Sequence, residues 1–226
     1  MSLYDTHLAG LWTYQYFRAV LSATPLLAEL SIQGLVIDHW SADSYERVQL
    51  PSLRSLRLSG QETYVSYILF SLSMPHIEHL SLNAFLCFPD TPTYPTISSL
   101  VFIRSIPLNR FSPFFPSLTN LTTLHCDPCN AFQEIMDSTY THLHCLESLT
   151  FFPFFYWGTS DETLEQCLYK LVNARIKHGY PLLRLCLDKT SWSLLLPETA
   201  EMLNKQVDAE VLTRSEEHTS ELQSPA

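Results

Sequence analysis

Glycine is scarce in this chain, with five in 226 residues, and none falls in a Gly-x-Gly-x-x-Gly or Gly-x-Ser-x-Gly arrangement. A phosphate-cradling loop needs glycine so that backbone amides can approach the phosphate. A nucleophile elbow needs it for its tight turn. The composition therefore argues against both. Basic residues are also few: 13 Lys and Arg face 23 Asp and Glu, for a net charge of −10. That removes the electrostatic basis for binding nucleic acid or an anionic membrane. No apolar run approaches the roughly 18 residues that a membrane-spanning helix needs; the aromatic stretch Phe151–Trp157 is far shorter. No basic segment followed by an apolar run and a cleavage site marks a signal peptide, so the cytosol or nucleus is expected. The six cysteines form no regular small-domain framework and are expected to be reduced thiols. The sequon Asn120-Leu121-Thr122 is then expected to be unused.

What the chain has in abundance is leucine at a fixed rhythm. A Leu-x-x-Leu-x-apolar block occurs seven times: Leu27–Leu30–Ile32, Leu53–Leu56–Leu58, Ile77–Leu80–Leu82, Ile97–Leu100–Phe102, Leu121–Leu124–Cys126, Leu146–Leu149–Phe151 and Leu182–Leu185–Leu187. Between the middle residues the steps are 26, 24, 20, 24, 25 and 36. The last two apolar residues of each block are two apart, which is strand periodicity with both side chains on one face. One such strand cannot bury its apolar face alone, so successive repeats must stack. Periods of about 20–29 residues around this core are the signature of a leucine-rich repeat. Proline often precedes the block, at Pro25, Pro51, Pro75, Pro95 and Pro116. It lacks an amide donor and sets its own φ, so it suits the start of a strand. The first four prolines stand two positions before the block; the fifth allows either Leu118–Leu121–Thr123 or Leu121–Leu124–Cys126. The second choice keeps the spacing even and the core apolar.

The expected fold is α/β: one irregular leucine-rich repeat solenoid over residues 1–213, a horseshoe-like arc of about seven repeats with helical caps. Helices are expected over 6–23, 61–73, 130–140, 160–178 and 194–207 from apolar residues at three- and four-residue steps. In the fourth, Thr159 and Glu162 have capping-box spacing, Arg175 lies on the apolar face, and Gly179 suits the position just past the helix. Loops are expected over 85–96 and 106–116, which are rich in proline and phenylalanine. Residues 214–226 stand apart. Arg214-Ser-Glu-Glu-His-Thr-Ser-Glu-Leu-Gln-Ser224 looks like a translated sequencing adapter, so this stretch reads as a non-native tail and the natural C-terminus lies elsewhere.

A metal site suggests itself in His125-Cys126-Asp127-Pro128-Cys129 with His142, His144 and Cys145, which are zinc-type ligands at roughly suitable spacing. Against it, Cys126 holds a core position of its block, where cysteine acts as a small hydrophobe, and a strand turns His125 to the other face. No metal, cofactor or catalytic constellation is expected. The outward positions of the strands form three columns. The central one is Ser31, Arg57, Ser81, Val101, His125, Thr150 and Cys186. It is flanked by Glu29, Ser55, His79, Ser99, Thr123, Ser148 and Arg184 on one side, and by Gln33, Ser59, Asn83, Ile103, Asp127, Phe152 and Asp188 on the other. The expected partner-binding residues are Arg57, His79, Val101, Ile103, His125, Asp127, Phe152, Arg184 and Asp188. Val101, Ile103 and Phe152 are the apolar anchors, because binding energy concentrates in a few desolvated contacts.

Three blocks carry a family resemblance: Leu-Pro-Ser-Leu-Arg-Ser-Leu-Arg-Leu (50–58), Met-Pro-His-Ile-Glu-His-Leu-Ser-Leu (74–82) and Phe-Pro-Ser-Leu-Thr-Asn-Leu-Thr-Thr-Leu (115–124). The run from Leu164 to Arg175, followed by Pro-Leu-Leu-Arg-Leu-Cys-Leu (181–187), adds to it. From about Leu3 to Thr213 the chain resembles the C-terminal repeat region of fungal F-box proteins, especially those of mushroom-forming fungi. The resemblance implies a protein that binds a substrate protein through its repeats, while an F-box joins the adaptor of a cullin–RING ubiquitin ligase. No F-box precedes residue 24, so the resemblance reaches the substrate-holding half and implies the adaptor as partner only where an F-box lies upstream. The alternatives are a stand-alone repeat scaffold without a ligase link, or a non-functional gene fragment.

Overall fold

The computed structural model describes residues 2–4, 13–34, 47–83, 94–102, 112–126, 143–151 and 164–212. In chain order the elements begin with β1 (Ser2–Tyr4), α1 (Tyr14–Ser22), β2 (Glu29–Gln33), β3 (Val48–Gln49) and β4 (Ser55–Ser59). Next come α2 (Glu62–Ser71), β5 (Leu72–Ser73), β6 (His79–Leu82) and β7 (Ser99–Phe102). A 3-10 turn (Ser112–Ser117), β8 (Thr123–Cys126), β9 (Ser148–Phe151) and α3 (Leu164–Lys177) follow. The chain then runs through β10 (Arg184–Asp188), α4 (Lys189–Ser193), α5 (Pro197–Gln206) and β11 (Asp208–Leu212).

Nine strands make one parallel sheet in the order β1-β2-β4-β6-β7-β8-β9-β10-β11, so each strand of this sheet pairs with the next one along the chain. The sheet is open, with β1 and β11 at its edges. A small parallel pair, β3 with β5, lies apart from it. Among the described residues no helix is long and apolar enough to cross a membrane.

The alternation along each strand produces this arrangement. In β4 the burial runs half-buried, buried, half-buried, buried, half-buried, with Leu56 and Leu58 inside. The same two inward positions are Leu30/Ile32, Leu80/Leu82, Leu100/Phe102, Leu124/Cys126, Leu149/Phe151 and Leu185/Leu187 on the other internal strands, all at most 2 % exposed. They join one core with Phe17 and Leu21 of α1, Val65, Ile68 and Leu69 of α2, and Leu168, Leu171 and Val172 of α3. Each such leucine contributes about 1.5–3 kcal/mol by leaving water.

Two backbone devices recur. Just before the strand, the first leucine of a block donates its amide three residues back: Leu53 to Leu50, Ile77 to Met74, Ile97 to Tyr94, Leu118 to Phe115 and Leu146 to Leu143, at 2.9–3.3 Å. In the first four of these turns the proline inside has no amide to leave unsatisfied, and in the fifth His144 takes its place. Then one carbonyl per block accepts two successive amides of the next strand. Ala28 takes Arg54 and Ser55, Arg54 takes Glu78 and His79, and Glu78 takes Ser98 and Ser99. Ser98 takes Thr122 and Thr123, Thr122 takes Glu147 and Ser148, and Glu147 takes Leu183 and Arg184. Side chains add stitches between blocks, including Thr96 Oγ1 to the Ile77 carbonyl (2.6 Å) and Asn120 Nδ2 to the Pro95 carbonyl (2.8 Å).

The fifth block satisfies both of its possible registers. Leu118 makes the usual turn to Phe115, and Leu121 makes a second one to Leu118 at 3.1 Å. Both leucines are fully buried, and the strand follows at Thr123–Cys126. The ambiguity reflects one extra turn of three residues, inserted between the proline and the strand.

Other expectations shift at the ends. Helix α1 starts at Tyr14, with Thr13 Oγ1 accepting the Tyr16 amide at 3.2 Å; residues 6–12 of the expected 6–23 helix lie outside the described residues. The strand at Ser2–Tyr4 is an addition to the expected elements. α2 ends at Ser71, where Leu72 turns extended and pairs with Val48. The expected helix over 130–140 and the capping pair Thr159 and Glu162 lie outside the described residues. Gly179 does sit past α3 with φ +80°, and the Tyr180 amide bonds the Arg175 carbonyl (2.9 Å), closing the helix end. Within the expected 194–207 helix lies α5, α4 is an unexpected short helix before it, and β11 adds a ninth strand. Its residues level with the core, half-buried Ala209 and exposed Val211, pair with Leu185 and Leu187.

Candidate functional site

The outward side chains of the strands form straight rows because the register never slips. Ser31 pairs with Arg57, Arg57 with Ser81, Ser81 with Val101, Val101 with His125, His125 with Thr150, Thr150 with Cys186, and Cys186 with Glu210. A parallel row holds Glu29, Ser55, His79, Ser99, Thr123, Ser148, Arg184 and Asp208. Neighbours within a row stand about 4.8 Å apart, the strand spacing.

Of the expected contact residues, Arg57, Val101 and His125 lie half-buried in the central row, and His79 and Arg184 are exposed in the flanking row. Ile103, Asp127 and Phe152 lie outside the described residues. Asp188 is a correction. It is 2 % exposed, and its Oδ1 accepts the Thr190 amide (2.8 Å) and the Ser191 amide (3.1 Å). Its Oδ2 accepts the Ser191 hydroxyl. The strand alternation gave it an outward slot, but β10 ends there and α4 begins, so the carboxylate caps the helix. It is not available to a partner.

The row also changes character along its length. From β2 to β8 its side chains are half-buried; at Thr150 and Cys186 they are 4 % and 5 % exposed. Burial pushes the Cys186 thiol above its usual range, the Thr150 hydrogen bond opposes this, and Glu210 adds to the rise. The Cys186 Sγ–Glu210 Oε2 separation is 3.9 Å. A thiol held neutral in this way is a poor nucleophile. Burial also lowers the pKa of His125 and keeps its imidazole neutral. Cys126 is 1 % exposed in the core, on the face opposite His125. Cys129 and His142 lie outside the described residues, among which no three His, Cys, Asp or Glu side chains gather as metal ligands.

Two charged features escaped the sequence reading. Asp208 and Glu210 extend the rows onto β11, where Glu210 Oε1 lies 3.7 Å from Arg184 Nε. Their signal was the alternation of Asp-Ala-Glu-Val, missed because alanine stands where leucine was required. At the strand starts, Arg54 Nη1 bonds Glu78 Oε1 (3.0 Å) and the His76 carbonyl (3.2 Å) along the rim. The open stretch is thus a hydroxyl-rich sheet face with one arginine, a neutral histidine and a valine in line. It can hydrogen-bond and bury one small apolar group. Comparison with family models, with curated proteins and with solved structures found no match.

Proposed function

We propose that the chain is a leucine-rich repeat solenoid that works by binding another protein. In this reading it is the substrate-holding part of an F-box-type ubiquitin-ligase receptor, with transfer of ubiquitin left to other subunits. The observation that carries the binding reading is the unbroken register, which sets the variable outward residues of successive repeats in straight rows on an open sheet face. Stacked repeats supply such extended surfaces as their usual means of recognition. The one-strand-per-block order and the recurring proline turn support the solenoid. The ligase link rests on the resemblance of the blocks at 50–58, 74–82 and 115–124.

Two experiments test the two levels. A photo-crosslinking amino acid at Ser81, in the centre of the open face, is expected to capture a defined protein in cells of the source organism, whereas the same group at Tyr67 on α2 is not. Equal capture at both positions would remove the face from the reading. A full-length read of the source transcript tests the ligase link. An in-frame F-box upstream supports it; a stop codon without an F-box leaves a stand-alone binding protein.

A further inference from the structure

β11 is the last strand of the sheet, and no described strand lies beyond it. The bonding of the inner strands tells which of its backbone groups are left over. The first outward residue of a strand turns its amide back to the strand before: Ser148 to Thr122, Arg184 to Glu147 and Asp208 to Leu183. Successive residues of a paired strand turn their backbone groups to opposite sides. Asp208 and Glu210 therefore bond toward β10, and the N–H and C=O of Ala209 and Val211 face out from the sheet edge.

The side chains of this edge differ from those of the inner strands. Val211, level with Leu187, is 38 % exposed, whereas the core slots of the internal strands are at most 2 % exposed. Ala209 beside it is half-buried. On the other face, β11 is the one described strand whose first two outward residues are both acidic. Glu210 already leans on Arg184. Asp208 is exposed and has no ion pair among the described residues.

An edge with unpaired backbone groups and an uncovered core slot is a template for one more strand. Charge selects which one. A second copy joined edge to edge through β11 sets acid against acid, and residues 214–226 carry one arginine against three glutamates. We infer that the β11 edge takes an extended basic segment of a partner protein, added parallel as the next strand. Lysine or arginine at alternate residues stands beside Asp208 and Glu210, and the apolar residues between them cover Ala209 and Val211. This is a second site, at the end of the sheet, and it does not rest on the binding role of the open face.

The test uses the full chain and a fluorescein-labelled Lys-Val-Lys-Val-Lys peptide. Saturable binding is expected, with Glu-Val-Glu-Val-Glu at least about tenfold weaker. By the sheet's own rule the lysine amides of the added strand face β11 and the valine amides face away. N-methylation at the second and third lysines is thus expected to weaken binding about tenfold or more, and N-methylation at the two valines to change it less than about twofold. Both forms keep the charge, so equal binding of the two would mean adsorption to an acidic protein and would overturn the inference, as would no binding at all. Val211→Pro deletes an amide that β10 does not use, so the chain is expected to fold and lose the peptide. Should it unfold, Asp208→Lys on the exposed side is the second variant. It is expected to shrink the preference for the lysine over the glutamate peptide, and an unchanged preference counts against the inference. Self-association of the parent chain that Val211→Pro abolishes would give the edge to a second copy instead. Crosslinking from Ser81 is unaffected by any of these outcomes.

Discussion

The two ends of the central row obey one register and have opposite fates. At Arg57, Ser81 and Val101 the outward side chains are half-buried; at Thr150 and Cys186, further along the same row, they are 4 % and 5 % exposed. Past them, Asp188 is buried as a helix cap. Position in the pleat therefore decides which face a residue is on, and the neighbourhood decides whether that face is wet. Polar groups that end up buried carry an obligation, since each unpaired one costs about 1–3 kcal/mol. The C-terminal end meets it with fixed partners. Asp188 caps α4, and Arg175 of α3, fully buried, donates from Nη1 and Nη2 to the Leu143 and Leu146 carbonyls at 3.1 and 2.6 Å. That guanidinium takes the place of further backbone bonding in the turn before β9, and burial pulls its pKa down to about 10. The first half of the sheet presents a face, and the second holds itself with internal clamps.

The sharpest way to break this contrast is to remove equivalent core side chains from a middle strand and from the edge. Leu56→Ala in β4, at a site 1 % exposed, is expected to cost about 2–5 kcal/mol by opening a cavity. Val211→Ala in β11, at the same inward slot but 38 % exposed, is expected to cost less than about 1 kcal/mol. Urea unfolding of the two variants measures both, and equal losses would show that the edge strand is packed as tightly as the centre. Arg175→Met keeps most of the volume and takes the side-chain donor from the Leu146 carbonyl, while the Leu143 carbonyl keeps the Leu146 amide, for an expected loss of about 1–3 kcal/mol in the same assay. Asp188→Ala is expected to cost about 1–2 kcal/mol, and Asp188→Asn much less, because the amide oxygen still caps the α4 amides. If Asp188→Ala instead left stability unchanged while abolishing partner crosslinking, its role would be recognition after all.

These contrasts also mark what could be read from residues alone. The inward leucines were legible because a period of two is enforced by the pleat and apolar side chains repeat it without exception from Leu30 to Leu187. The proline turns were legible because the missing amide restricts where proline can stand. The extra turn at Leu118–Leu121 was visible only as two competing registers, since both leucines are apolar and both are buried. β11 was lost because Ala209 and Val211 replace the expected leucines at an edge where little needs burying. Asp188 was misassigned for a different reason: alternation is a local rule, and the start of α4 one residue later overrides it. The face residues are the least legible part. Their rows follow from register, but whether a row is open depends on packing that no short spacing encodes.

The smallest expected effect belongs to His125, where the open and closed parts of the row meet. Burial lowers its pKa from the usual 6.5, so the folded state binds a proton less readily than the unfolded chain. The sign follows by linkage. Above about pH 6.5 the imidazole is neutral in both states and the group adds nothing. As pH falls through that value the unfolded chain takes up the proton first, and stability declines until the folded imidazole also titrates. His125→Gln removes the proton site while keeping a polar side chain. The difference in urea midpoint between the parent chain and this variant is therefore expected to be constant from pH 8 to about 7 and to move against the parent below about pH 6.5. A difference that stays flat down to pH 5 would place His125 in water, and would shift the boundary between the open face and the clamped end one strand further toward β9.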